Sequence, residues 1–127
     1  MNNMNLRGKQ IAFDFDGTIT QENIYPNVGA MRPLIDKCIQ QLYNDGAHII
    51  IWTCRATSTI EQYSAYLKML AFLKEHQIPF HCINSNTEQD FVSQKIFAHL
   101  YVDDAALGWN PNWNGDDIYN MICKRLS

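Results

Sequence analysis

Asp14 and Asp16 stand two residues apart in the stretch IAFDFDGTIT (residues 11–20), with Gly17 and Thr18 directly after them. Side chains two apart on a strand project to the same side. Two carboxylates placed this way repel each other, and burying either is costly, so a positive partner is expected between them. A second acidic pair, Asp103 and Asp104, closes the run HLYVDD (residues 99–104). Four carboxylates, with no His or Cys in the set, make an oxygen-only site for a hard cation, and Mg2+ is the ion expected. That ion keeps several waters and usually binds one or two carboxylates together with a phosphate. A carboxylate beside it can attack phosphorus and carry an aspartyl-phosphate. The second carboxylate could protonate the leaving oxygen and later activate water. The Thr53 hydroxyl and the Lys95 ammonium could hold the other phosphoryl oxygens, where charge must be stabilised.

These residues need elements to bring them together. Residues 10–15 read as a short buried strand, and 17–30 as turn-rich. Residues 32–44 read as a helix, with Pro33 in its first turn and Leu34, Ile35, Cys38, Ile39 and Leu42 at helical spacing. AHIIIWT (47–53) is a strand covered on both faces. A helix is expected from about Ser58 to His76, a third strand at 78–84, a short helix at 88–98 and a fourth strand at 99–104. A last helix near 116–125 has Asp116 or Asp117 at its start. The alternation predicts an α/β fold, a Rossmann-like three-layer sandwich with helices on both faces of a mainly parallel sheet. Ligands of such sheets bind at the carboxyl ends of the strands. Asp14 and Asp16, Thr53, Asn84, and Asp103 and Asp104 all fall at those ends.

At this point the chain resembles a family. DFDGT (14–18) is similar to the first motif of the haloacid dehalogenase-like (HAD) superfamily of phosphohydrolases, and IIIWT (49–53) to its second. Lys95 resembles the third-motif lysine and YVDD (101–104) the fourth-motif acidic pair. The resemblance implies Asp14 as nucleophile, Asp16 as general acid and base, and Thr53 and Lys95 as phosphate-binding residues. It implies Mg2+ held by Asp14, the Asp16 carbonyl and Asp103, with Asp104 assisting through water. Neither 19–48 nor 54–94 is long enough for the cap domain that many relatives carry, so the chain looks like a capless member. Specificity would then come from loops: 20–30, Arg55, the NSN at 84–86 and the Trp109–Trp113 loop. Arg55 and Asn84 are the candidate substrate-binding residues.

The 127 residues suit one domain, 46% of them hydrophobic and 18% charged, which reads as globular. A net charge of -3 offers no basic footprint for nucleic acid and no polybasic membrane patch. The polar start MNNMNLRGKQ lacks the apolar core of a signal peptide, and no run is long enough to span a membrane, so the expected location is the cytoplasm. Cys38, Cys54, Cys82 and Cys123 show no C-x-x-C spacing, which argues against zinc. Cys54 and Cys82 adjoin apolar runs, where core packing is expected. The four histidines read as unrelated to catalysis. The expected activity is Mg2+-dependent phosphomonoester hydrolysis. Its partner would be a phosphorylated small molecule or a nucleotide or nucleic-acid end, and an uncapped site invites association into a homo-oligomer. The competing readings are a phosphotransferase and a non-enzymatic phospholigand-binding protein.

Overall fold

The computed structural model of the protein describes residues 4–55, 59–85 and 96–127. Its elements are β1 (Gln10–Asp14), α1 (Ile35–Asn44), β2 (His48–Trp52), α2 (Ile60–Glu75), β3 (Cys82–Ile83), β4 (Leu100–Val102) and α3 (Gly115–Leu126). The four strands form one all-parallel sheet in the order β3-β2-β1-β4. The fold is α/β and Rossmann-like, and no cap domain is present among the described residues.

Register decides which strand residues share a face. Ile11 lies beside Ile49, and Phe13 beside both Ile51 and Val102. These side chains are buried in one cluster with Ile35, Cys38, Ile39 and Leu42 of α1, Met69, Phe72 and Leu73 of α2, and Ile118, Tyr119 and Ile122 of α3. In α1 the buried positions recur at the spacing that keeps one helical stripe toward a core. The opposite face carries Ala12 and Ile50, against which Ile96 and Ala98 pack. The helix expected at 88–98 falls mainly outside the described residues.

Three of the boundaries that differ from expectation have a clear physical reason. First, α1 begins at Ile35, not at residue 32, because Leu34 adopts φ 64. The Pro33 carbonyl turns toward α3 and accepts from the Gly115 N–H at 2.7 Å. Second, α3 is capped by Asn114, whose side chain accepts from the Asp117 N–H while the Asp117 carboxylate accepts from the Asn114 N–H. Asp116 and Asp117 thus fall inside the first turn, where carboxylates favour the positive end of the helix dipole. Third, only Cys82 and Ile83 of the run 78–84 join the ladder. Ile78 and Phe80 pack on the core without strand pairing.

At Gly115 the first turn of α3 lies directly against the backbone at the start of α1. A Cβ there would lie 1.9 Å from the Leu34 carbonyl oxygen, a backbone atom that cannot swing away. Gly115→Ala is expected to destabilise the fold by about 1–3 kcal/mol, the usual range for forced overpacking. Chemical denaturation of the variant checks this, and an unchanged midpoint would contradict the contact.

His48 and His99 stand at the starts of β2 and β4, opposite the carboxyl ends. The His99 Nδ1 accepts from the Gln10 N–H, and the His81 Nδ1 from the Ile49 N–H, each at 3.0 Å. His76 caps the end of α2. Two of the cysteines, Cys38 and Cys82, are buried, and all four are free. Cys54 does not pack in the core as expected. It is exposed, because β2 stops at Trp52 and the chain leaves the sheet before it.

Candidate active site at the carboxyl ends of the strands

The steps from β1 to β2 to β3 run one way across the sheet, and β4 lies on the other side of β1. The seam between β1 and β4 is therefore the topological switch point, where ligands of open α/β sheets bind. Asp14 ends β1 on one side of it, and Asp103 and Asp104 follow β4 on the other. One carboxylate oxygen from each of these three residues lies within 4.8 Å of the others.

The turn Phe15–Ile19 holds this cluster. The Thr18 hydroxyl donates to Asp14 Oδ2 at 3.0 Å and accepts from the Asp104 N–H at 2.9 Å, bridging the two sides of the seam. Gly17 adopts φ 85, and a Cβ there would meet Asp104 Oδ2 at 2.3 Å. A side chain at 17 would thus be strained and would intrude on the acidic cluster. The Gly17 N–H is held by the Thr20 hydroxyl at 2.9 Å.

Among the described residues no cation is in salt-bridge contact with the cluster, and Arg32 acts on Asp104 only at longer range. Burial first, then the hydrogen bond to Asp104 and the negative charge of Asp103 and Asp104, push the Asp14 carboxyl up to about 8, against a smaller opposite pull from Thr18. Three carboxylates that meet across the seam, all offering oxygen and one of them so displaced, suit a hard cation such as Mg2+. Asp14, Asp103 and Asp104 are the residues that would hold it. The Asp16 side chain is not part of this cluster.

Asp16 has the positive partner that the sequence demands, in a residue assigned another task. The Arg55 Nε donates to Asp16 Oδ2 at 2.9 Å and Nη2 to Oδ1 at 2.7 Å, a bidentate pair. The remaining Arg55 protons go to the carbonyls of Pro26, Ala65 and Asn27. All five donors of the guanidinium are thereby used. Its plane also lies near the rings of Phe15 and Tyr25. The expected role of Arg55 as an anchor for a substrate anion is therefore corrected: the residue is buried, and no donor faces outward. It ties Asp16 to the 24–27 loop and to α2.

Thr53 sits just past β2, half-buried, with its hydroxyl oxygen accepting from the Arg55 N–H at 3.0 Å. The hydroxyl proton is left to point elsewhere. The Asn84 amide clasps Thr53: Oδ1 accepts from the Thr53 N–H at 2.8 Å, and Nδ2 donates to the Thr53 carbonyl at 2.7 Å. Asn84 adopts φ 54, a region that Asn tolerates better than most residues. It positions the end of β2, while its exposed amide keeps a second Nδ2 proton for another partner. Lys95 and Asn86 lie outside the described residues.

Arg32 is a participant that reading the sequence missed. It is buried, with Nε donating to the Thr18 carbonyl at 2.7 Å and Nη2 to that of Gly17 at 3.0 Å. Its Nη1 donates to the carbonyls of Pro111 and Trp113, each at 2.8 Å. Trp109 stacks over the same guanidinium and meets Trp113 edge to face. One arginine thus clamps the turn after β1 to the tryptophan loop. The one local signal was a charged residue at the expected start of a helix, flanked by Met31 and Pro33, since its partners lie up to 81 residues away.

No protein-family profile matches the chain, and no curated protein does. A solved structure of a conserved protein from Bacteroides thetaiotaomicron is similar to it, with a TM-score of 0.77 and 26% identity. The likeness covers 91% of this chain and 90% of that one. The likeness carries the α/β fold along nearly the whole chain.

Proposed function

We propose that the chain is a capless, HAD-like, Mg2+-dependent phosphomonoester hydrolase that works through an aspartyl-phosphate on Asp14. The observation that carries this reading is the meeting of Asp14, Asp103 and Asp104 across the β1–β4 seam, with Thr18 bonded to both sides. A bound Mg2+ would supply positive charge against these carboxylates and against the phosphoryl oxygens.

The chain's own groups do the rest. An Asp14 carboxylate oxygen attacks phosphorus, and the bond from phosphorus to the ester oxygen breaks. Asp16 delivers a proton to that oxygen and later takes one from the water that attacks the aspartyl-phosphate, which frees Asp14 and inorganic phosphate. The Thr53 hydroxyl donates to a phosphoryl oxygen, and Lys95 is the proposed cationic partner of another. Both Asp16 oxygens accept from Arg55, so one of these bonds opens and the freed oxygen takes up a proton from solvent before it delivers one to the ester oxygen. The uncapped site leaves water free to enter, which favours hydrolysis over transfer to another acceptor.

Release of para-nitrophenol from its phosphate ester, with Mg2+ and with EDTA, tests the reading. Turnover that requires Mg2+ is the expected result. A second reading, phospholigand binding without turnover, is favoured by the engagement of Asp16 with Arg55. Absence of turnover alongside Mg2+-dependent phosphate binding would select it and overturn the first.

A further inference from the structure

Along β4, one of the two edge strands of the described sheet, runs a cavity of about 260 Å3 between that strand, the tryptophan loop and α3. Its walls are mainly apolar, built from Leu100, Val102, Trp109, Trp113, Ile118 and Met121. Asp103 belongs both to this wall and to the acidic cluster. Two apolar side chains in the lining are left to solvent: Leu107 is fully exposed and Met121 is 47% exposed.

Continuity with the acidic cluster goes beyond a shared residue. The wall that carries Trp109 and Trp113 is fixed to the turn after β1 by Arg32, whose four bonds reach Gly17 and Thr18 on one side and Pro111 and Trp113 on the other. An apolar group lodged against the indoles is therefore held in a set relation to Asp14. The volume is slightly below the roughly 300–1,000 Å3 of sites for drug-sized ligands. It suits a group of about one or two rings rather than a whole nucleoside.

We propose that this cavity receives the alcohol portion of the phosphate ester, and that the substrates are phosphomonoesters of apolar, ring-sized alcohols. This inference rests on the phosphatase reading for its phosphate end, and its test separates the two. The first arm uses no phosphate. Binding of 2-naphthol to 15N-labelled protein is followed by the indole N–H signals of its tryptophans. Those of Trp109 and Trp113 are expected to shift, while Trp52, which packs on the opposite face of the sheet, stays in place. Met121→Glu and Leu107→Glu, both at solvent-open positions, are expected to weaken binding about tenfold by placing a charge in the apolar wall. The second arm compares 2-naphthyl with phenyl phosphate, whose leaving oxygens have similar acidity. The larger ester is expected to have a kcat/KM about 10- to 100-fold higher, and the two variants should lose that advantage.

Unshifted Trp109 and Trp113 signals would overturn the proposal, as would equal kcat/KM for the two esters in an active enzyme. A dimer in solution that Met121→Glu dissociates would also overturn it, by putting a second copy on this face. Indole shifts without turnover of either ester would keep the cavity as an apolar-ligand site and reject the phosphatase reading.

Discussion

Asp14→Asn is expected to lower phosphatase turnover by on the order of 10⁴-fold or more, while raising the melting temperature of the metal-free protein. The loss follows from the proposed chemistry, since an amide at 14 forms no aspartyl-phosphate and the remaining groups have no covalent route. The gain follows from the charge. The Asp14 carboxyl is pushed up to about 8 in the folded chain from an ordinary value of 3.8. Between these two values the folded state holds a proton that the unfolded state has lost, so stability falls as pH rises through the interval and levels off above it. The variant has no such slope. Its advantage should open between about pH 4 and pH 8 and then hold steady. The site is partly open to solvent and salt, so about 1–2 kcal/mol is expected, or roughly 3–8 °C. Melting curves across that range check the sign. At pH 8, Mg2+ should stabilise the native protein more than the variant. A variant that melts no higher than the native protein at pH 8 would show that the Asp14 charge is already compensated without a cation.

Arg55→Lys is expected to lower kcat about 10²-fold with KM little changed. Arg55 offers no donor to a ligand, because all five are spent on Asp16 and three backbone carbonyls. An ammonium keeps the charge but cannot make the forked pair, so the Asp16 carboxylate shifts. Misplacement by about 1 Å is enough for a loss of that size. Arg55→Leu removes the charge as well and leaves Asp16 and the Pro26, Ala65 and Asn27 carbonyls without their donor. That change should destabilise the protein by about 3–5 kcal/mol. The kcat-against-KM split of the lysine variant separates positioning from substrate binding. A large rise in KM at constant kcat would restore Arg55 as an anchor for the substrate.

The two arginines also mark where sequence reading stops. Strand β1 was legible down to Asp14 because its pattern is local: a short apolar run, an acid, then a glycine that must turn. The buried face of α1 was legible for the same reason, through the spacing of Ile35, Cys38, Ile39 and Leu42. The meeting of Asp14 with Asp103 and Asp104 followed from parallel strands sharing their carboxyl ends. The duties of Arg32 and Arg55 did not follow, because they are set by carbonyls and a carboxylate brought near by folding, with no periodic signal along the chain. Asn84 was ambiguous for a related cause: an amide past a strand can face a ligand or a neighbouring strand's end, and register alone decides. Likewise the start of α1 was misplaced, since Pro33 is a good first-turn residue in isolation. Only the approach of Gly115 gives its carbonyl another use.

The order β3-β2-β1-β4 also bears on synthesis. The chain emerges from its amino end, so β1 can pair with β2 long before β4 exists. Of the strand pairings, the seam that carries the acidic cluster closes last, around contacts such as Gln10 with His99, 89 residues apart. Until then one edge of β1, among the most buried strands in the finished fold, is a bare hydrogen-bonding template of the kind that invites wrong partners. Gln10 and Asp14 at its two ends are the polar residues on that strand, and they frame only three apolar ones. A nascent chain halted before residue 100 would thus lack both the cover for that edge and the carboxylates facing Asp14.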